Sequence, residues 1–474
     1  MSAPLTTCCL VSQPTLTEFS TLSLRAELLS AVSSLDYTSM TPIQSSALPV
    51  ILKGADTLAQ AKTGSGKTAA FSLGLLNKLE VQTYKTQALV LCPTRELSDQ
   101  VAAEIRRLAS NMANTKVLTL CGGKPMNAQL ASLKRDAHII VGTPGRILKH
   151  LGKGSLVLDG IRTLVLDEAD KMLDMGFHED IMNILNQTSS DRQTLLFSAT
   201  YPEQIKQVSS AIQVNPIEIR IEESAREEQI HQVFYAVKDD QKIQALLTVL
   251  ESNQPASCLV FCNRKQHCQT LAGALRTQGV FVKSLHGDLD QYERDEAMIQ
   301  FANGSVSVLV ATDVAARGLD VDALSLVINF DMALDPETHV HRIGRTGRAD
   351  NEGLAISFVP PQEHVRVHAI ESYQDKRLII EKLVVSNNRS QHPAVIPRTT
   401  TLHVNGGKKD KVRAGDIVGA LTANTALSKE QIGKITVLDK SIYVAITRDQ
   451  AKKALDILSN GKIKGRRFRV RSLR

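Results

Sequence analysis

No run of this 474-residue chain approaches the roughly 18–20 consecutive apolar residues of a membrane-crossing helix; its longest, such as Ala88–Cys92, are strand-sized. The start of the chain has neither a charged lead nor a small-residue cleavage pattern, so residues 1–15 read as a flexible tail and not as a signal peptide. Cysteine is sparse: seven, scattered, with no Cys-x-x-Cys pair. Cys258, Cys262 and Cys268 gather near His267, but Cys258 belongs to a strand-like run and no second ligand pair completes a zinc set. Reduced thiols in a cytoplasmic protein are the simpler reading.

Excess positive charge is concentrated at one end. Residues 401–474 hold 17 Lys/Arg against 6 Asp/Glu, an excess of 11 within a whole-chain charge of +7, which leaves the first 400 residues acidic by 4. A basic module attached to a mildly acidic body points to a polyanionic partner, nucleic acid being the commonest.

The most informative stretch is Ala61-Lys62-Thr63-Gly64-Ser65-Gly66-Lys67-Thr68. It departs from the strict phosphate-loop pattern by one methyl group, at the first position. Small residues there let several backbone N–H groups point at one polyphosphate, while the Lys ammonium reaches the terminal phosphates and the Thr hydroxyl holds Mg2+. A short apolar lead precedes it and a helix-like run over Thr68–Leu79 follows, so the anion would meet a helix N-terminus. A second stretch, Leu164-Val165-Leu166-Asp167-Glu168-Ala169-Asp170, is a strand ending in carboxylates, where an ATPase needs a metal-holding Asp beside a base.

From Thr57 to about Ile221 short apolar strands alternate with helical stretches, the pattern of a parallel sheet covered on both faces. Ligands of such sheets bind beyond the carboxyl ends of the strands. The segments following the apolar runs are Pro93–Leu97, Gly122-Gly123, Thr143-Pro144-Gly145-Arg146, Asp167–Asp170 and Ser198-Ala199-Thr200. A charged stretch, residues 222–230, reads as a linker. The alternation restarts over 231–370 without a phosphate loop, but with Ala311–Asp320 and His341-Arg342-Ile343-Gly344-Arg345-Thr346-Gly347-Arg348, the kind of domain that supplies arginine fingers to a neighbour's ATP. Residues 371–398 read as a second linker. Residues 399–474 then run strand, helix, strand, strand, helix, strand, an order that fits a ferredoxin-like or RNA-recognition-motif fold. On its central strands only Tyr443 is placed to stack a base. Lys408, Lys409, Lys411 and Arg413, with Lys462, Lys464 and Arg466, are placed to hold phosphates.

With these motifs in order, residues 16–370 resemble the core of the DEAD-box RNA helicases, and the lead-in from Phe19 to Gln44 resembles that family's Q motif. The C-terminal module, through Val404–Lys409, Gly415–Leu421, Ile432–Ile435 and Gly461–Gly465, resembles the RNA-binding domain of one bacterial subfamily of these enzymes. The resemblance implies an α/β architecture: two tandem RecA-like domains plus a small C-terminal RRM-like α+β domain. It implies that Gln44 reads adenine with Phe19 stacked on it, and that residues 61–68 cradle the phosphates of ATP. Thr68 and Asp167 would hold Mg2+, Glu168 would activate the attacking water, and Asp320 would touch the ribose. Arg345 and Arg348 would be the fingers, while Ser198 and Thr200, bonding to Asp170, would couple hydrolysis to strand separation. RNA contacts in the core would fall to Arg95, Gly123, Thr143, Arg146, Arg264 and Thr312. The implied enzyme is a cytoplasmic monomer, an RNA-stimulated ATPase that locally unwinds short duplexes. Its C-terminal module would target it to 23S rRNA in precursors of the large ribosomal subunit. A general RNA helicase and an ATP-gated RNA clamp fit the same residues.

Overall fold

A computed structural model describes residues 8–9, 18–61, 64–201, 203–221, 230–316, 324–347, 353–384, 395–423 and 427–473. The chain forms two compact units, one built in the main from residues up to 223 and the other from residues 224 onward.

The first unit holds an all-parallel sheet, ordered Cys8–Cys9, Ile217–Arg220, Thr57–Gln60, Gln193–Ser198, Thr163–Leu166, Ala88–Leu91, Ile139–Gly142, Val117–Leu120. Its central strands are buried on both faces, and the two-residue pleat divides their side chains between two cores. Val90, Val165 and Val141 join one core with Phe71 and the helices Pro42–Leu52, Lys67–Lys78 and Arg95–Leu108. Leu89, Leu91, Leu164 and Leu166 join the other with Ile147, Met172 and Ile181. Part of the segment read as a loose tail enters this sheet: Cys8 and Cys9 pair with Glu218 and Ile219, because Ile217–Arg220 otherwise leaves an edge open.

The second unit repeats the plan with a parallel sheet ordered Val282–Leu285, Val308–Ala311, Cys258–Phe261, Leu326–Asn329, Gly353–Val359, Ile230–Ala236, Ile380–Lys382. The last strand falls inside the stretch read as a linker over 371–398, whose first residues complete the helix His364–Gln374. Leu378 and Ile380 supply the reason, packing on a small apolar cluster with Phe234 and Ile370.

In the same unit, residues 399–473 form an antiparallel sheet ordered Ile432–Val437, Ile442–Thr447, Thr399–Val404, Val470–Ser472, backed by the helices Ala414–Thr422 and Ala451–Asn460. Leu402, Val404, Ile442, Val444 and Ile446 face those helices. The opposite sheet face meets the end of the helix Gln291–Ala302: the Thr401 hydroxyl bonds with Asn303 and Ser305, and Arg471 reaches Glu296 at 3.2 Å. Nearby, the Arg448 guanidinium lies 4.4 Å over the Phe281 ring.

Candidate functional site

The phosphate loop follows the strand Thr57–Gln60, and its Gly66 caps the helix Lys67–Lys78. Gly66 has φ +94°, and an added Cβ would come within 2.5 Å of Gln44 Nε2, so only glycine fits that turn. The lead-in grips the loop directly. Gln44 Nε2 donates to the Gly66 carbonyl at 3.2 Å, its Oε1 accepts from the Thr41 N–H at 2.9 Å, and the Thr41 hydroxyl donates to the Ser65 carbonyl at 2.7 Å. Thr41 and Gln44 thus cap their own helix and hold the loop with the same two side chains. Lys67, 5% exposed, donates to the Ala61 carbonyl at 2.7 Å, and Thr68 follows it in the helix. Phe19 is buried beside Tyr37, ring centroids 6.4 Å apart, so much of the surface expected to stack adenine is already covered.

Asp167 and Glu168 end the strand Thr163–Leu166, and both are buried. Burial pushes the Asp167 carboxyl up to about 6, against the pull of nearby Lys67. Glu168 sits at φ +54°, a left-handed backbone that costs a non-glycine residue about 1 kcal/mol or more. Its Oε1 lies 2.7 Å from Lys171 Nζ, with both side chains about 5% exposed or less. Asp170 Oδ2 accepts three bonds, from the Ala199 N–H, the Thr200 N–H and the Thr200 hydroxyl, at 2.9–3.0 Å. Burial would raise that carboxyl, but Lys171, Lys67 and the backbone donors outweigh it and hold it below the usual range. Thr200 therefore makes the expected bond. Ser198 does not: its side chain is fully buried and its Oγ has no hydrogen-bond partner among the described residues, while its carbonyl accepts from Ala61 N–H at 3.0 Å. Ser198 is the last residue of the strand Gln193–Ser198, whereas Thr200 lies beyond it in the turn that carries its N–H and hydroxyl to Asp170.

The first unit also gathers its expected RNA-facing residues. Arg95 opens the helix Arg95–Leu108 and lies over Gly122, where an added Cβ would meet its guanidinium at 3.2 Å. Thr143 precedes the helix Pro144–Gly152, and Arg146 Nη1 from that helix donates to the Lys124 carbonyl at 3.1 Å, just past Gly123. In the second unit Arg264 is exposed before the helix Lys265–Thr277, and the Thr312 hydroxyl caps the Ala315 N–H at 3.4 Å. Arg345 is buried, at 9% exposure. Lys62, Thr63, Asp320 and Arg348 lie outside the described residues.

One residue of the motif around Arg345 had no role assigned from sequence. Arg342, 2% exposed, places Nε and Nη2 on the Asp313 carboxylate at 2.6 and 2.7 Å, Nη2 also on Asn263 Oδ1 and Nη1 on the Asp331 carbonyl, both at 2.7 Å. It ties the segments that carry Arg264, Thr312 and Arg345 into one buried network. The His341–Arg348 pattern marked the segment, but not which arginine turns inward.

In the C-terminal sheet Tyr443 is fully buried, its ring 5.0 Å from His403. It occupies the sheet face that meets the end of the helix Gln291–Ala302, so the expected base-stacking role is corrected. Alternation carried the signal: on Ser441–Thr447 Tyr443 and Ala445 face one way while Ile442, Val444 and Ile446 face the other, and a strand apolar on both faces is covered on both. The expected phosphate holders stay exposed and converge. Lys464 Nζ donates to the Lys411 carbonyl at 2.8 Å, locking the loop that carries Lys462, Lys464 and Arg466 to the one carrying Lys408, Lys409, Lys411 and Arg413.

A phosphate loop before a helix, carboxylates ending a strand two places along the same sheet, and a second parallel sheet without such a loop define the class of tandem RecA-like nucleotide-driven enzymes. Within it, three family models match in series: DEAD/DEAH box helicase over 41–208, helicase conserved C-terminal domain over 241–350, and DbpA RNA binding domain over 401–472. The chain is 51% identical to the ATP-dependent RNA helicase DbpA of Escherichia coli K12, over 97% of this chain and all of that protein. It is 37% identical to the protein of the same name from Bacillus subtilis 168, over 96% and 99%. Among solved structures it resembles Saccharomyces cerevisiae Dbp5 bound to RNA and ADP BeF3, with a TM-score of 0.71 and 31% identity over 77% of this chain and 95% of that one. The chain belongs to the DbpA-like DEAD-box ATP-dependent RNA helicases, enzymes that hydrolyse ATP in dependence on RNA. Among the described residues no helix is long and apolar enough to cross a membrane.

Proposed function

We propose that this enzyme is a cytoplasmic, monomeric helicase that opens short RNA duplexes locally while anchored to 23S rRNA, and that it acts in assembly of the large ribosomal subunit. The observation carrying this reading is the exposed basic edge formed where Lys464 joins Lys411. Its cationic side chains are exposed, as suits a folded RNA held by its backbone. Residues 16–221 would bind ATP, 231–370 would supply Arg345 and Arg348, and 399–474 would select the RNA.

In this reading Gln44 and Phe19 meet the adenine, while Gly64, Gly66, Lys67 and Thr68 hold the phosphates. Thr68 and Asp167 fit Mg2+: a carboxylate whose charge is disfavoured by burial gains most from a cation, which would neutralise the phosphates. Glu168 orients and deprotonates the attacking water. The fingers and the phosphate loop lie on different parts of the chain, so hydrolysis requires both to be brought to one nucleotide, and RNA held by Arg95, Arg146, Arg264 and Thr312 favours that state.

Steady-state ATPase with no RNA, with poly(U) and with a 23S rRNA fragment, at fixed salt, tests the targeting. Strong stimulation by the rRNA fragment alone is expected. Equal stimulation by poly(U) would reduce the C-terminal module to a general basic grip. A displacement assay on a short duplex, run alongside, separates a helicase from a clamp that binds and releases no strand.

A further inference from the structure

Behind Arg146 runs a buried chain of polar groups that the reading above leaves without a purpose. Gln129, on the helix Met126–Leu133, is 4% exposed, and His150, in the last turn of Pro144–Gly152, is fully buried. The Gln129 amide has a defined orientation: Nε2 donates to the Cys121 carbonyl at 3.0 Å, so Oε1 is the acceptor. That oxygen takes two hydrogen bonds, from Arg146 Nη1 at 2.8 Å and from His150 Nε2 at 2.9 Å. His150 must then carry its proton on Nε2, which leaves Nδ1 to accept from the Ser155 hydroxyl at 2.9 Å. Burial, helped by the charges of Arg146 and Lys153, lowers the His150 pKa, in keeping with a neutral ring of one tautomer. The Ser155 hydroxyl, with one proton, has a second acceptor in the His150 carbonyl at 3.0 Å, while the Gln129 amide and the His150 Nε2–H each have one assignable role.

Burying an amide and an imidazole against Ile147 and the core beneath it is unfavourable compared with apolar side chains of the same size. Among the described residues, the charged group hydrogen-bonded to the pair is Arg146. Both of that residue's clamps, Gln129 Oε1 and the Lys124 carbonyl, take the same nitrogen, Nη1, so the bidentate edge formed by Nη2 and Nε is not used by either. That edge is the one that matches a phosphate.

We propose that Gln129 and His150 are positioning residues for RNA, a buried pair that pre-sets the Arg146 guanidinium so that its bidentate edge meets a backbone phosphate without losing rotamer freedom on binding. The inference rests on the reading of Arg146 as an RNA contact.

The test uses the full-length protein with a non-hydrolysable ATP analogue, titrating a fluorescent single-stranded oligouridylate over a range of salt. Gln129→Met should weaken binding about three- to tenfold, the cost of ordering one freed side chain. It should also flatten the log–log salt slope toward that of Arg146→Ala, about 0.7 shallower than wild type. Maximal ATPase at saturating 23S rRNA fragment should stay within about twofold of wild type, a split that general loosening of the fold would not give. Added to Arg146→Ala, Gln129→Met should cost little more, because both remove one contact. Gln129→Glu keeps size and acceptor geometry while setting a carboxylate against the guanidinium. It should weaken RNA binding as well, and it serves where the Met variant is unstable. Unchanged affinity and slope in both Gln129 variants, or full additivity with Arg146→Ala, would overturn the inference while leaving Arg146 as a contact. An Arg146→Ala variant that binds RNA normally would overturn the contact reading and the inference together.

Discussion

Lys67 Nζ donates to the carbonyl of Ala61, the residue that opens its own loop, at 2.7 Å. The ammonium is buried. In the proposed reading a phosphate oxygen would take the place of this carbonyl as the acceptor. Lys67→Ala should therefore lower ATP affinity by about a hundredfold or more, since charge-assisted bonds to phosphate are strong. It should cost the free fold only about 1 kcal/mol, one hydrogen bond to a carbonyl. Fluorescent-nucleotide titration and thermal melting check the two halves. ATP affinity near wild type in the folded variant would remove Lys67 from the site.

Glu168 pairs with Lys171 at 2.7 Å in a buried setting, which separates two substitutions that activity alone would not. Glu168→Gln keeps an acceptor beside the ammonium, so the protein should melt close to wild type, bind ATP and RNA, and fail to turn over. Glu168→Ala removes the acceptor from a buried cation and should cost about 3 kcal/mol in stability besides losing turnover. Single-turnover ATPase and melting curves of both variants give the comparison. Measurable turnover by Glu168→Gln would rule out Glu168 as the base.

Much of this was legible in sequence, for physical reasons. A phosphate loop and strand-end carboxylates work through backbone N–H groups and short side chains at fixed spacing, so Gly66, Lys67 and Asp167 announce themselves. Parallel strands read as unbroken apolar runs, so both sheets could be placed. What a side chain touches across the fold was less legible. The spacing of Ser198 and Thr200 gave no hint that only Thr200 reaches Asp170. Neither Gln129 nor His150 belongs to a local pattern, because their partnership joins two helices across 21 residues of sequence. Tyr443 was misread because its role depends on what covers the sheet.

His339 carries a pH prediction. It is 1% exposed, its Nε2 donates to Gln232 Oε1 at 3.0 Å, and its ring stacks near Phe234. Burial, then the charge of Arg342, lowers its pKa to about 4 from 6.5. The folded state therefore binds the proton less well than the unfolded chain. The stabilisation is present above pH 6.5 and is lost as pH falls toward 4, by about 3 kcal/mol over that window. His339→Gln keeps a polar group without the titration. Urea unfolding at a series of pH values should show wild type losing about 3 kcal/mol more than His339→Gln between pH 6.5 and 4. Parallel pH profiles would mean that the imidazole does not stay neutral in the fold.

Tyr443 and Lys464 belong to one small domain but should answer to different assays. Tyr443 is fully buried beside His403, on the face whose Thr401 meets Asn303 and Ser305. Truncating it to Ala should cost about 3–5 kcal/mol, as for other buried aromatic side chains. Tyr443→Phe should be nearly neutral, and neither variant should change RNA affinity at a temperature where it is folded. Lys464 is exposed and joins the two basic loops, so Lys464→Glu should leave melting nearly unchanged. It should weaken binding of a 23S rRNA fragment and flatten its salt dependence, because a phosphate contact is replaced by repulsion. Melting curves and RNA titrations on the three variants decide the matter. A stable Tyr443→Ala protein with weakened RNA binding would return Tyr443 to a base-stacking role and move the RNA from the basic edge to the sheet face.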